Sequence, residues 1–212
     1  MGSACNKEDY WLLAEHYQHC FARFGDTPQG ADWPNANDLM TRYQVMLDVI
    51  RERNNSIKLL DFACGSGSFF SYLAQTDLAN INYLGIDIND ALITVAKNKF
   101  PTQQFWCLDI LESEQILPVV DYVVCNGLFT VKRAISTATM MRFMQIIIEK
   151  LFAITQQGLA FNVMSPHVDW RREDLFYVDM MELTTFIIKH LTRNFVIRHD
   201  YGLYEYTCYL YR

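Results

Sequence analysis

The segment Leu59-Leu60-Asp61-Phe62-Ala63-Cys64-Gly65-Ser66-Gly67-Ser68-Phe69 reads as an apolar strand running into a glycine turn and then a helix. Gly65 and Gly67 remove side chains where the backbone turns tightly and a ligand can approach, and the following helix offers unpaired backbone N–H groups. Twenty residues after Gly67, Asp87 ends a second apolar run, Gly85-Ile86-Asp87-Ile88-Asn89. A carboxylate at that position can accept both hydroxyls of a ribose. For proton transfer, a histidine at a strand end is the first candidate. His167, in Met164-Ser165-Pro166-His167-Val168-Asp169-Trp170, follows a later apolar run, whereas His16 and His19 belong to an N-terminal helical pattern and His190 and His199 to the C-terminal region. Asp169, Tyr204 and Glu205 are rivals for the same role.

These residues need a scaffold that gathers strand ends. Short apolar runs near 57–63, 82–86, 103–107, 119–125 and 158–164 alternate with helical patterns near 67–76, 89–99 and 137–154. The alternation predicts parallel strands joined by right-handed helical crossovers, in a sheet covered on both faces. A helix from Met180 to about Leu191, a strand over 194–198 and another over 203–211 follow. Two strands separated only by a turn pair antiparallel. Upstream, Tyr10 to about Phe24 shows helical spacing and ends at a glycine-containing loop over 25–30. Asn37 or Asp38 is expected to cap a second helix reaching about Arg53, before Asn54-Asn55 breaks the pattern. Residues 1–55 thus read as a helical N-terminal extension or lid, and residues 56–212 as one compact α/β core.

The 212 residues are 51% hydrophobic and 20% charged, which suits one globular domain with an added segment. A net charge of -6 gives no electrostatic reason to approach nucleic acid. No apolar stretch is long enough for membrane insertion. Cys5, Cys20, Cys64, Cys107, Cys125 and Cys208 are scattered, with no Cys-x-x-Cys pair and no histidine at zinc-ligand spacing, so no metal is expected. Free thiols suit a reducing, cytoplasmic setting. The N-terminus lacks an apolar signal core, and Asn6 stands where myristoylation requires Ser or Thr.

From about Leu59 to Met164 the sequence resembles the Rossmann-like (class I) S-adenosylmethionine-dependent methyltransferases. The run Asp61 to Gly67 matches the family's first motif, with Ala63 replacing the commonest first glycine. Asp87 matches its ribose-binding acid, Asp109 in Trp106-Cys107-Leu108-Asp109-Ile110 its adenine-flanking acid, and Asp121-Tyr122-Val123-Val124-Cys125-Asn126 its fourth motif. The resemblance implies a Rossmann-like, seven-stranded, mostly parallel sheet with an antiparallel C-terminal hairpin. It also implies S-adenosyl-L-methionine as cofactor, held by Asp61, Ala63, Cys64, Gly65, Gly67, Asp87, Ile88, Asp109, Ile110 and Asn126. Trp33, in Gly30-Ala31-Asp32-Trp33-Pro34, stands where this family commonly attaches a lid, and Arg42 is expected to meet the methionine carboxylate. Nicotinamide-dependent oxidoreductases share the topology and the ribose acid, but their fingerprint wants a third glycine beneath a pyrophosphate, where this chain has Phe69 or Phe70. Asp61 also suits a cationic sulfonium ligand bearing an amino group better than a phosphate. A non-catalytic adenosylmethionine-binding protein is the remaining alternative.

Methyl transfer is an in-line displacement on an activated methyl group, so positioning can supply much of the catalysis, with His167 expected to assist proton removal. The segment Asn126-Gly127-Leu128-Phe129-Thr130 lacks both prolines of the Asn/Asp-Pro-Pro-aromatic motif of base-methylating enzymes. Lys132 and Arg133 could receive an acidic substrate group. The 163–169 segment and the 200–206 ending are similar to small bacterial methyltransferases associated with surface-polysaccharide biosynthesis. That likeness implies a small-molecule acceptor, a sugar or sugar nucleotide, methylated on O or N.

Overall fold

The computed structural model describes residues 6–33, 35–52, 56–76, 78 and 80–212; residues 1–5, Pro34, Arg53, Asn54 and Asn55, named above, lie outside them. Seven strands form one sheet: β1 (Ile57–Phe62), β2 (Ile81–Asp87), β3 (Gln104–Cys107), β4 (Val120–Phe129), β5 (Thr155–Met164), β6 (Phe195–Arg198) and β7 (Glu205–Tyr211). Their spatial order is β3-β2-β1-β4-β5-β7-β6. The first five are mutually parallel, while β7 inserts antiparallel between β5 and β6. This is the expected α/β sheet with its antiparallel hairpin. The order reverses at β1, which pairs with both β2 and β4, and that reversal opens a crevice beyond the strands' carboxyl ends.

Helices cover both faces. On one side α1 (Lys7–Phe24), α5 (Thr137–Ala153) and α6 (Met180–His190) pack on Leu60, Val123, Phe161 and Cys208. On the other, α2 (Ala36–Leu47), α3 (Ser68–Leu73) and α4 (Asp90–Lys99) pack on Leu59, Tyr83, Val124 and Tyr209. Side chains of Asn89, Ser136 and Asp179 cap α4, α5 and α6 by accepting backbone N–H bonds that the first turn leaves unpaired.

Several boundaries differ from the sequence expectation. Asn35, rather than Asn37 or Asp38, caps α2 by accepting from the Asn37 N–H. The helix also stops at Leu47, because Val49 and Ile50 leave the helical path to enter the core, where they are buried. Strand β4 does not exit at Asn126: it continues to Phe129 through a shift in register, with Gly127 at φ +87. Leu39, Tyr43, Met46 and Leu47 of α2 are buried in the sheet-covering core, while Tyr10 and Tyr17 of α1 and Trp33 of the following loop line the crevice, joined there by Tyr43.

Candidate active site

The crevice is a cleft walled by Asp61, Ala63, Cys64, Gly65, Asp87 and Ile88 from the first two strands, and by Asp109, Ile110 and Asn126 from the next two strand ends. Tyr10, Tyr17 and Trp33 close it from the N-terminal segment. The turn after β1 holds Ala63 at φ +62, Gly65 at +55 and Gly67 at +78. For an L-residue such as Ala63 this left-handed geometry costs about 1–2 kcal/mol, the physical reason a glycine suits the position. A Cβ on Gly65 would meet nothing within 4 Å, so its backbone lies open to the cleft. Gly67 does not line the cleft; a Cβ there would press on Phe100 and Phe105 at 3.2 Å, and its role is close packing.

Asp61 is 2% exposed and accepts the Tyr83 hydroxyl at 2.7 Å. Burial pushes its carboxyl up to about 7, opposed by the Tyr83 hydrogen bond and reinforced by nearby Asp87. Asp87 accepts the Gly65 N–H on Oδ2 at 2.8 Å and the Asn89 N–H on Oδ1 at 2.9 Å, tying the glycine turn to the end of β2. Desolvation raises its pKa, against those backbone bonds. Asp109 accepts the Leu111 N–H on Oδ1 and the Tyr10 hydroxyl on Oδ2, at 3.0 and 2.9 Å. Tyr10 also stacks on Phe143 with centroids 5.5 Å apart, which docks α1 onto the core at this point. Asn126 leaves a buried Oδ1 in the cleft wall with no partner among the described residues, an acceptor that a ligand donor would satisfy.

A second cavity, of about 700 Å3, adjoins the first, and Tyr17, Ala31 and Trp33 line both. Trp33 lies over the β4 bulge: a Cβ on Gly127 would come within 2.5 Å of its ring, so only glycine admits it. The Arg42 guanidinium lies 4.1 Å from the same ring. Aromatic side chains of Phe24, Trp170, Tyr177 and Tyr204 share the wall with Asp32, Asp38, Arg42 and Arg172. Trp170 is 65% exposed and meets Tyr204 edge-on at 5.7 Å.

Besides Gly67, other expected residues stand outside the cofactor cleft. Arg42 lines the second cavity rather than the cofactor cleft, because Glu205, 1% exposed on β7, binds its guanidinium through Nε at 3.0 and 2.9 Å and Nη2 at 2.9 Å. His167 lines neither cavity. Its side chain is exposed, its N–H is bound to Ser165 Oγ, and its neighbours Val168 and Trp170 face the second cavity instead. Lys132 and Arg133 also lie outside both walls, Lys132 Nζ donating to the carbonyls of Arg133 and Ile135 and Arg133 pairing with Asp174. The sequence reading passed over Tyr10, Tyr17 and Asp32; the two tyrosines fall on the apolar side of α1 and look like core from their spacing alone.

Residues 60–146 match a family model described as a methyltransferase domain. The chain is 27% identical over 152 residues to the Mycobacterium tuberculosis protein Rv1506c, a methyltransferase by name, covering 69% of this chain and 88% of that one. Among solved structures, magnesium protoporphyrin IX methyltransferase of Synechocystis PCC 6803 superposes with a TM-score of 0.67 at 15% identity, over 99% of this chain and 100% of that chain. The N-methyltransferase NodS of Bradyrhizobium japonicum gives a TM-score of 0.60 at 15% identity, over 84% and 98%. The domain match over residues 60–146 and the methyltransferase relative support methyl transfer from S-adenosylmethionine as the activity, and the structural likeness shows a Rossmann-like fold.

Proposed function

We propose that this methyltransferase acts on an oxygen or nitrogen of a small acceptor, a sugar or sugar nucleotide, bound in the second cavity. The observation that carries the reading is the junction of the two cavities at Tyr17, Ala31 and Trp33, where an acceptor atom can approach a methyl group in line. Aromatic faces at Trp170, Tyr177 and Tyr204 suit the C–H faces of a sugar ring, while Asp38 and Arg172 offer partners for its hydroxyls. The likeness to polysaccharide-associated enzymes supports the same class of acceptor. The five cysteines among the described residues are free, which favours a reducing cytoplasm.

S-adenosylmethionine supplies the activated methyl group when bound. Asp87 would receive the ribose hydroxyls on the lone pairs its backbone bonds leave free, Asp109 with Ile88 and Ile110 would hold the adenine, and Asp61 with Ala63, Cys64 and Gly65 would hold the methionine amino group. Asn126 Oδ1 accepts from the cofactor or the acceptor. The α1–Trp33 segment covers the cleft and keeps water from the junction. Proton removal does not call on His167 in this geometry, and His167→Ala is expected to keep turnover within about threefold of the parent, since a positioned base is worth roughly 10²–10⁴-fold. A loss in that larger range would return His167 to the site.

Asp61 gives this assignment a pH signature. Its folded-state pKa is raised to about 7, so below that pH the free protein holds it neutral, and an ammonium ligand must displace the proton to gain an ion pair. Relative to pH 8, affinity for S-adenosylhomocysteine should fall up to about tenfold per unit below pH 7. Asp61→Asn should flatten that profile. A parent profile that is flat from pH 6 to 8 would remove Asp61 from contact with the amino group.

The acceptor class is tested by measuring S-adenosylhomocysteine formation over nucleotide sugars, amino sugars, small acids and peptides. Turnover on a sugar-containing acceptor is the expected result. Turnover only on RNA, DNA or protein would overturn the small-acceptor reading, and silence across the panel would favour a non-catalytic adenosylmethionine-binding protein.

A further inference from the structure

In the N-terminal segment beside the second cavity, three different metal-ligand side chains meet, one of them Asp32 of that cavity's wall. His16 and Cys20 are four residues apart on α1 and so project from one face of the helix. The chain then turns at Gly25 and through a short 3-10 turn at Gln29–Ala31, and Asp32, at φ +59, folds back against them. Nε2 of His16 is 2.7 Å from Asp32 Oδ2 and 3.7 Å from Cys20 Sγ. One ligand atom from each of the three lies within 4.8 Å of the others.

Tetrahedral zinc, with bonds of about 2.0–2.2 Å to nitrogen and oxygen and about 2.3 Å to sulfur, sets its N and O ligands about 3.3 Å apart and its N and S ligands about 3.6 Å apart. The His16–Cys20 separation already has that value. The His16–Asp32 separation must open by roughly half an ångström to reach it, a movement open to the Asp32 side chain, which is 38% exposed. A thiolate, an imidazole and a carboxylate form a donor set suited to zinc, whereas magnesium and calcium take oxygen ligands.

We propose that His16, Cys20 and Asp32 form a zinc-type divalent metal site that clamps α1 to the turn carrying Trp33. The spacing overlooked in the sequence is one turn of helix between His16 and Cys20, with the third ligand brought in by the loop. On coordination Cys20 releases its thiol proton to solvent, and the three protein ligands leave a fourth position for water. The clamp bears on methyl transfer by position. Tyr17 follows His16 and Trp33 follows Asp32, and Tyr17 and Trp33 line both cavities. Metal at this site therefore fixes the two aromatic residues at the junction.

The test uses full-length, tag-free protein stripped with a chelator and titrated with cobalt(II), then with zinc(II). The expected result is one equivalent of cobalt with a thiolate-to-metal charge-transfer band that zinc abolishes, together with a zinc-dependent rise in Tm. His16→Ala and Cys20→Ser should remove the band and weaken zinc binding at least tenfold, with circular dichroism and a cooperative thermal transition in chelator showing that each variant is folded. Cys107→Ser, which removes an exposed thiol elsewhere, should leave the band intact. Absence of the band in the parent, its survival in Cys20→Ser, or its loss in Cys107→Ser would overturn the site and leave His16 and Asp32 as a hydrogen-bonded pair only.

Discussion

Replacing Arg42 with methionine is expected to lower folding stability by about 3–5 kcal/mol, because it strands a buried carboxylate. Glu205 is 1% exposed, and burial raises its pKa against the lowering effect of Arg42 and the Asn162 hydrogen bond. With Arg42 gone the carboxylate keeps its desolvation penalty and loses its partner. Glu205 is also one link in a continuous polar chain. Arg42 binds Glu205, Asn162 Nδ2 donates to Glu205 Oε1 at 2.9 Å, and Asn162 Oδ1 accepts the Gly127 N–H at 2.7 Å, at the β4 bulge beneath Trp33. The substitution should therefore loosen the cover of both cavities as well as the core. Chemical denaturation at pH 7.5 measures the loss, and thermal unfolding should show a fall of roughly 6–20 °C. The unpaired Glu205 would take up a proton more readily folded than unfolded, so the deficit should shrink as pH falls from 8 towards 5. The double variant Arg42→Met/Glu205→Gln should recover much of the stability, because the glutamine carbonyl still accepts from Asn162 while the buried charge is gone. A loss below about 1 kcal/mol in the single variant would mean that water screens the pair as it does at a surface.

The second large effect is on cofactor affinity. Asp87→Ala should weaken S-adenosylhomocysteine binding by about 1.5–3 kcal/mol, roughly 10- to 150-fold, as read by calorimetry. Its carboxylate has two tasks at once. It would accept the ribose hydroxyls, and it anchors the Gly65 and Asn89 N–H groups that shape the turn and the start of α4. Asp87→Asn retains an acceptor oxygen for one of those groups and should fall between parent and alanine. Unchanged affinity in Asp87→Ala would take Asp87 out of the site.

Much of the fold was legible because it rests on local patterns. Alternating strand and helix periods predicted the parallel sheet, and a turn-linked pair of C-terminal strands predicted the hairpin. Element ends were less legible where tertiary packing overrode the local signal. Val49 and Ile50 continue the apolar spacing of α2 but turn into the core. Asn126-Gly127 looks like a strand end but lies in a bulge that makes room for Trp33.

For this protein, sequence alone determined the α/β class, the glycine turn and the order of the acids at positions 61, 87 and 109, because each depends on residues close in the chain or on a repeated strand-to-helix rhythm. Tertiary structure decided which side chains share a wall. Arg42 meets Glu205, 163 positions away, instead of the cofactor cleft. His167 is turned out while its neighbours Val168 and Trp170 are turned in. Asp32 reaches His16 through a left-handed turn. Such pairings depend on loop direction and on the desolvation of groups far apart in sequence, and no local spacing encodes either.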